Sequence, residues 1–358
     1  MAERTRLTLI GGFLGAGKTT LINKLAERFI SDRKRIGVIT NDQGKYLIDT
    51  EFVKVRGIDV EEVTGSCFCC NFPKFFENME KLSGEGSAEY ILAEPVGSCT
   101  DLIATIMAPL SSFHGKEYSI SPLIVLVDGT KMIDRSLDEA TLGGYLRHHQ
   151  VAEAEYLVLT KTDMLSSDAV GRFLDELRHI NPFAKTIVYS AVTGEGLDEI
   201  VDIIESEEET DRKPVDVDYE RYAEAEAELG WYNGIYEFES EGLNAYEMSQ
   251  ALLGDLGSKY PASAIAHAKV SLSGDGGHIK VSLIGKDLST GGMLGTGRLN
   301  GRICLNFNAR IASEPDALKS AIRETVDTVM NDMGIRGCRM TFDDCFAPGR
   351  PNPTYRMV

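Results

Sequence analysis

The sequence predicts a doubly wound α/β domain with a mainly parallel sheet, followed by a smaller α+β domain. Three observations carry this. Between residue 5 and about residue 205, short apolar runs alternate with stretches of helical period. A glycine-rich run at residues 12–19 joins the first apolar run to the first helical one. After residue 205 the composition changes, and a pattern of alternating strands starts near residue 231.

The expected strands of the first domain lie at residues 8–10, 35–40, 90–93, 123–127, 156–160 and 184–189. Most are continuously apolar, as parallel strands covered on both faces are, and the helical stretches between them supply the crossovers. Such a sheet places its ligands at the carboxyl ends of the strands. Residues 206–230 are crowded with Asp and Glu and read as an acidic linker ending in a short helix. The second domain, residues 231–345, reads β-α-β-β-(β)-α-β, close to a ferredoxin-like plan with helices on one face of an antiparallel sheet. Its strands are expected at 232–238, 264–273, 278–284, 302–309 and 336–342. The run Gly274-Asp275-Gly276-Gly277 is expected to turn a hairpin between the second and third. Helices are expected at 243–256 and from Ser313-Glu314-Pro315 to about Met333, and the proline-bearing tail, 346–358, is expected to be loose.

A chain of 358 residues is long enough for two cores, and its net charge of −18 argues against a general binder of nucleic acid or of anionic membranes. No stretch approaches the ~20 apolar residues of a membrane span. The first apolar run ends in glycines rather than in a cleavage signal, so a cytoplasmic protein is expected. Seven cysteines in that setting suggest thiols or metal ligands rather than disulfides.

Residues 12–19 spell G-x-x-x-x-G-K-T, a phosphate-binding P-loop. Gly12, Gly15, Ala16 and Gly17 let successive backbone N–H groups point at one anion, and the helix starting at Lys18 adds its positive end. Lys18 supplies charge for the β and γ phosphates, Thr19 a hydroxyl for Mg²⁺, and Thr20 continues the loop. Two carboxylates end later strands. Asp42, in Thr40-Asn41-Asp42-Gln43, is a candidate for Mg²⁺ or the attacking water, although alone it reads equally as a turn or helix-cap residue. Glu94, in Glu94-Pro95-Val96-Gly97, can hold Mg²⁺, and the Gly97 N–H can sense the γ-phosphate. Asp128 reads as a turn residue.

Cys67-Phe68-Cys69-Cys70 places three soft ligands in four residues, suited to Zn²⁺ with Co²⁺ and Ni²⁺ as alternatives. Buried or redox thiols are the competing reading. Three ligands leave a fourth to solvent, a side chain, a partner or a second subunit, which suits a carrier that releases its metal and leaves a homodimer open. Cys99, Cys304, Cys338 and Cys345 read as isolated thiols, though Cys338 and Cys345 could meet, and His148 and His149 read as surface residues.

Thr160-Lys161-Thr162-Asp163 ends another strand. The Asp163 carboxylate matches the adjacent N1–H and N2 donors of guanine, and the Lys161 stem can cover the ring. Backbone groups at Ser190 and Ala191 can reach the guanine oxygen. GTP is therefore expected over ATP. The general GTPase pattern has Asn where this chain has Thr160, which puts the bracing of the loop in question.

With these residues in order over about 5–205, the chain resembles the CobW/HypB/UreG family of P-loop metallochaperone GTPases, nearest its CobW-type branch. Ser66 stands where that branch usually has glycine before its first cysteine. The resemblance implies metal at the cysteine motif, coupling of metal binding to the GTP state, slow GTP hydrolysis, and delivery to a client metalloprotein or metal-dependent enzyme. Two other readings stay open. One is a GTPase that assembles or reactivates a corrinoid or metal enzyme, with the C-terminal domain as docking module. The other is a non-catalytic adaptor.

Overall fold

The computed structural model describes residues 4–42, 59–84, 86–132, 137–139 and 141–357, with the Asp42 side chain outside that description. The described residues divide into two compact units, one reaching to residue 225 and including 350–357, the other of residues 226–349.

The first unit is built on an eight-stranded sheet. Its elements are β1 (Thr5–Gly12), α1 (Lys18–Ser31), β2 (Ile36–Asp42), β3 (Asp59–Thr64), α2 (Phe72–Gly84), β4 (Tyr90–Glu94), and a π-helical turn (Ile103–Met107) running into α3 (Ala108–His114). Then come β5 (Tyr118–Ile120), β6 (Ile124–Asp128), α4 (Gly129–Met132), α5 (Leu142–Glu153), β7 (Tyr156–Thr160), α6 (Ser167–Ile180), β8 (Lys185–Val188), α7 (Leu197–Glu205) and α8 (Tyr219–Ala227). The strand order is β3-β2-β4-β1-β6-β7-β8, with β5 on β1, and every pairing is parallel. All six expected strands are present. The two that were not expected have a common reason. β3, Asp-Val-Glu-Glu-Val-Thr, carries no apolar run, and β5 has three residues.

The sheet is buried on both sides. α1 and α7 pack through Leu21, Leu25, Phe29, Ile200 and Ile204 onto Ile10, Val38, Leu92, Leu126 and Val158. The strand neighbours of opposite parity, Leu9, Ile39, Ile91, Val125 and Leu157, are equally excluded from water. Covering both faces of hydrogen-bonded strands is what makes these sequences read as continuous apolar runs.

Two stretches differ from the sequence expectation. The acidic segment after residue 205 is anchored on this unit as far as Ala225. Val217, Tyr222 and Ala225 are buried with Tyr145 and Leu146, and Thr210 N–H donates to the Ile120 carbonyl at 3.0 Å. Its charges face outward while every few residues an apolar side chain turns in. The tail 350–358 is likewise tied to this unit, by contacts described below.

The second unit contains β9 (Leu229–Asn244), α9 (Ala245–Lys259), β10 (Ile265–Ile284), β11 (Asp287–Ala312), α10 (Pro315–Asp332) and β12 (Arg339–Phe346). The antiparallel order β10-β11-β9-β12 is that of the ferredoxin-like plan. Met248, Leu252, Leu256, Ile322, Val326 and Val329 of the helices close one core with Phe238, Val270, Leu272, Ile303, Leu305 and Phe307 of the sheet. The Gly274–Gly277 run is not a hairpin turn. It is a double irregularity inside one long strand, and the turn lies at Gly285-Lys286. Glycine is required at the irregularity by close approach. Gly276 has φ +104°, and a Cβ there would stand 2.5 Å from the Arg298 carbonyl oxygen. Among the described residues no helix is long and apolar enough to cross a membrane.

Gly276→Val should lower stability by about 1–3 kcal/mol through forced backbone strain. Urea unfolding would show it, and an unchanged midpoint would mean the strand pair tolerates a side chain there.

Candidate nucleotide and metal site

The carboxyl ends of β1, β2, β4, β6, β7 and β8, together with the turn after β3, carry the nucleotide-side residues and the cysteine triplet singled out above. Parallel pairing forces this, because each chemistry-bearing loop leaves the sheet on the same edge.

The P-loop turns tightly out of β1. Gly12 has φ +126°, and a Cβ would stand 2.4 Å from the Leu126 carbonyl oxygen. Gly17, with φ +99°, caps α1 in the left-handed region. Lys18 Nζ donates to the Gly12 carbonyl at 2.7 Å and the Phe13 carbonyl at 3.2 Å, so it curls over the loop it would share with a phosphate. Ala16, Lys18 and Thr19 are buried, whereas Thr20 is exposed at the first turn of α1. The Thr19 hydroxyl lies 3.0 and 2.9 Å from the two carboxylate oxygens of Glu94, which joins the P-loop to the end of β4.

The base-side residues also meet. Ser190 Oγ donates to Asp163 at 2.7 Å and accepts from the Val192 and Thr193 N–H groups. Lys161, in left-handed backbone with φ +59°, pairs with Asp128 at 2.6 Å. Asp128 also accepts from the Thr130 N–H and hydroxyl, so it serves its turn and fixes Lys161 together. Thr160 takes over the bracing in question: its hydroxyl donates to the Ala16 carbonyl at 2.9 Å. Ala191 packs half-buried at the rim of the core.

The cysteines form a cluster. Sγ of Cys67 and Cys69 are 3.0 Å apart, those of Cys69 and Cys70 are 3.9 Å apart, and all three lie within 4.8 Å of one another. Cys67 and Cys69 are only 4% and 3% exposed. Hydrogen bonding from Cys69 and its neighbours holds the Cys67 thiol well below the ordinary range. The Cys67 hydrogen bond pushes Cys70 up to about 11.

Asn41, at the end of β2, positions this cluster. Its Nδ2 donates to the Val63 and Ser66 carbonyls at 2.9 and 2.8 Å, and its Oδ1 accepts the Phe68 N–H at 2.8 Å. Asp42 follows directly on β2; its side chain and Gln43 lie outside the described residues. The tail closes over the same turn. Asn352 N–H donates to Cys70 Sγ at 3.3 Å, Thr354 N–H to the Cys69 carbonyl at 2.8 Å, and the Thr354 hydroxyl to the Cys70 carbonyl at 3.3 Å. Tyr355 packs edge-on to Phe72, and Arg356 pairs with the buried Asp101 at 2.7 Å.

Cys99 is a core thiol, 2% exposed, near enough to contribute to the shifts of Cys67 and Cys69. Sequence spacing conceals this, although Cys99 sits in the same loop as Glu94 and Gly97. Glu153, also unforeseen, holds the end of that loop. It accepts from Thr100 Oγ1 at 3.1 Å and from the Leu102 N–H at 2.7 Å.

Burial pushes the Glu153 carboxyl up to about 8, with the Asp101 carboxylate adding to it and Arg356 paired to Asp101. A carboxyl raised in the folded state stabilises most below its unfolded value near 4.3, and the benefit is lost as pH rises toward 8. The melting temperature should therefore fall between about pH 5 and 8, and Glu153→Gln, which keeps the shape, should flatten that fall. Parallel profiles for the two proteins would refute the assignment.

Residues 6–188 match the model of the CobW/HypB/UreG nucleotide-binding domain. The zinc chaperone CobW of a Sinorhizobium species is 29% identical over 199 residues, covering 48% of this chain and 54% of that protein. The zinc chaperone YjiA of Escherichia coli K12 is 27% identical over 196 residues, 53% of this chain and 58% of that protein. The chain thus spans about half the length of the curated relatives it matches. Among solved structures, Zn(II)-bound YjiA GTPase from E. coli aligns over 90% of this chain and 99% of its own, at 17% identity and a TM-score of 0.36. HypB from Helicobacter pylori in complex with nickel aligns over 59% and 92%, at 15% identity and a TM-score of 0.43. The match to the nucleotide-binding domain takes in half of the sequence, and on it this chain belongs to the CobW/HypB/UreG family.

Proposed function

We propose that this protein is a GTP-hydrolysing metallochaperone. It takes a transition metal at Cys67, Cys69 and Cys70 and delivers it to a client metalloprotein. The observation that carries the reading is Asn41. One side chain at the end of a nucleotide-side strand holds the backbone on both sides of the first cysteine. A change in the β2 loop is then felt at the metal ligands. Relatives named as zinc chaperones support the reading, and Zn²⁺ is the favoured cargo on thiolate chemistry, with Co²⁺ and Ni²⁺ behind it.

The donor set also fits nucleotide and Mg²⁺. Thr19 and Glu94 face each other as a hydroxyl and a carboxylate at the mouth of the P-loop, with Asp42 as the further carboxylate. When bound, Mg²⁺ would supply positive charge that neutralises the phosphates. Lys18 would turn from the Gly12 and Phe13 carbonyls toward phosphate. Gly97 would offer its N–H beside it, and Asp42 or Glu94 would orient water. Asp163, braced by Ser190, would read the guanine edge, and Lys161, fixed by Asp128, would lie against the base. Ordering of these loops by the γ-phosphate, and their release on hydrolysis, is an order–disorder switch.

Asp163→Ala should weaken GTP roughly 10- to 100-fold, the worth of a charged hydrogen bond, and leave ATP unaffected. Nucleotide titration would show equal losses for both if Asp163 were only structural.

The decisive experiment titrates Zn²⁺ or Co²⁺ into protein loaded with a non-hydrolysable GTP analogue and then with GDP, beside the Cys69→Ala, Cys70→Ala double variant. Tight binding of one metal that requires the analogue and the thiols is expected. Equal affinity in both nucleotide states would end the coupled-carrier reading and favour an assembly factor with a static cysteine site.

A further inference from the structure

Residues 350–357 pack on the first unit, and their contacts follow one another along the chain. The Asn352 N–H meets Cys70 Sγ at 3.3 Å, and Thr354 holds the Cys69 and Cys70 carbonyls through its N–H and its hydroxyl. The Tyr355 ring stands edge-on against Phe72 of α2 and Phe113 of α3, at 5.1 and 5.3 Å between ring centroids. Arg356 Nε reaches Asp101 Oδ2 at 2.7 Å, and the Met357 N–H reaches the Ala104 carbonyl at 2.9 Å. Asn352, Thr354, Tyr355 and Arg356 nevertheless keep exposed sides. The segment is an outer layer, pinned at intervals to what lies beneath it.

The pin at Arg356 is the strongest. The Asp101 side chain is fully buried, whereas that of Arg356 is 31% exposed. Asp101 Oδ2 also accepts from the Tyr219 hydroxyl at 2.8 Å, and Oδ1 has no hydrogen-bond partner among the described residues. The Arg356 guanidinium lies 5.6 Å from the centre of the Tyr219 ring. Asp101 holds left-handed backbone, φ +63°, with its carbonyl accepting from the Thr105 N–H and hydroxyl at 3.0 and 2.6 Å. The socket is therefore fixed by its own loop. Removing Arg356 would leave a buried carboxylate without the cation that pairs it, which keeps the contact closed by default.

We propose that residues 352–357 are a strap that gates the cysteine cluster, with the Arg356–Asp101 pair as its latch. The proposal rests on the metallochaperone reading for the cargo and adds how traffic to the site is controlled. Cys67 and Cys69 are 4% and 3% exposed, so Cys70 is the sulfur that an incoming ligand meets first. The strap lies on that sulfur. Closed, it blocks approach to Cys70. Open, it leaves the cysteine turn where Asn41 holds it. Opening is a local event, because no strand or helix has to move. Metal entry and metal release use the same opening, and both are slow while the latch holds. Such a gate changes the speed of exchange more than the affinity.

Two measurements on the intact protein test this, in wild type, in Arg356→Gln, and in the double variant Asp101→Asn, Arg356→Gln. The double variant leaves no unpaired charge, so it carries the test if the single change unfolds the protein. Metal-free protein is treated with iodoacetamide, and the alkylated cysteines are located by mass spectrometry. Zn²⁺-loaded protein is mixed with a chromogenic chelator, and the rate of transfer is followed. Cys70 should be alkylated about 10- to 100-fold faster in the variants, the worth of a charge-assisted hydrogen bond, with the core thiol Cys99 unchanged. Zn²⁺ should leave faster by a similar factor and also load faster, so that affinity changes less than either rate. A folded double variant that reacts at Cys70 as slowly as wild type would overturn the gate. Equal acceleration at Cys99 would mean a loosened fold and would also refute it. The two readings fail separately. Wild type that binds no Zn²⁺ ends the metallochaperone reading, while alkylation still decides the gate. Bound Zn²⁺ that leaves all three proteins at one rate ends the gate alone.

Discussion

The arrangement depends on one buried amide. Asn41 uses both ends of its side chain, donating to Val63 and Ser66 and accepting from Phe68. A side-chain amide with three backbone partners in a buried place is expensive to disturb. Each lost partner leaves a buried polar group unpaired, at about 1–3 kcal/mol. Asn41 therefore makes the end of β2 and the cysteine turn one piece. Phe68, held at its N–H, stacks on Phe75 of α2 at 4.3 Å between ring centroids, which anchors the piece to the core. The cysteine turn is positioned by a strand end and a packed helix.

The parallel sheet explains why two chemistries share one edge. With β1 central, β4 and β2 run to one side and β6, β7 and β8 to the other. The P-loop and the loops of Asp163 and Ser190 follow β1, β7 and β8, while Asn41, the cysteine turn and Glu94 come from β2, β3 and β4. The loop after β4 lies between the two sides: Glu94 meets Thr19, and the buried Cys99 follows five residues later. Glu153, reaching from the end of α5, then fixes where this loop becomes helix, at Leu102.

What the sequence reveals and what it hides divide along chain separation. Six strands were legible because burial on both faces writes a continuous apolar run. β3 was not, because Glu61 and Glu62 interrupt it at the sheet edge, where one side remains half exposed. The P-loop and the cysteine triplet were legible because their function needs residues adjacent in the chain. Whether Cys99 lies in the core or at the surface was hidden, because a lone cysteine carries no spacing signal; it is buried. The tail misled for a related reason. Pro348, Pro351 and Pro353 signal extended backbone, and extended backbone is as suited to lying along a loop with its N–H groups outward as to being loose. Gly274–Gly277 misled because glycines mark close backbone approach as well as turns.

The charge on the site gives the tail a purpose. On the metallochaperone reading, three thiolates around a divalent cation would carry one net negative charge, and burying net charge without compensation is costly. Donors aimed at the sulfurs offset it, and such second-shell bonds tune metal affinity. The Asn352 N–H on Cys70 Sγ is one, supplied from the far end of the chain. Thr354 holds the tail by the carbonyls of Cys69 and Cys70 rather than by their sulfurs, so the tail grips the backbone and spends a single N–H on a ligand. Cys70 is also the least buried of the three cysteines. The sulfur nearest to water is therefore the one whose charge is steadied by the tail, and it is the natural point of attack for an incoming ligand. On that reading, release would need the tail to leave Cys70, with the Asn41-held turn left in place.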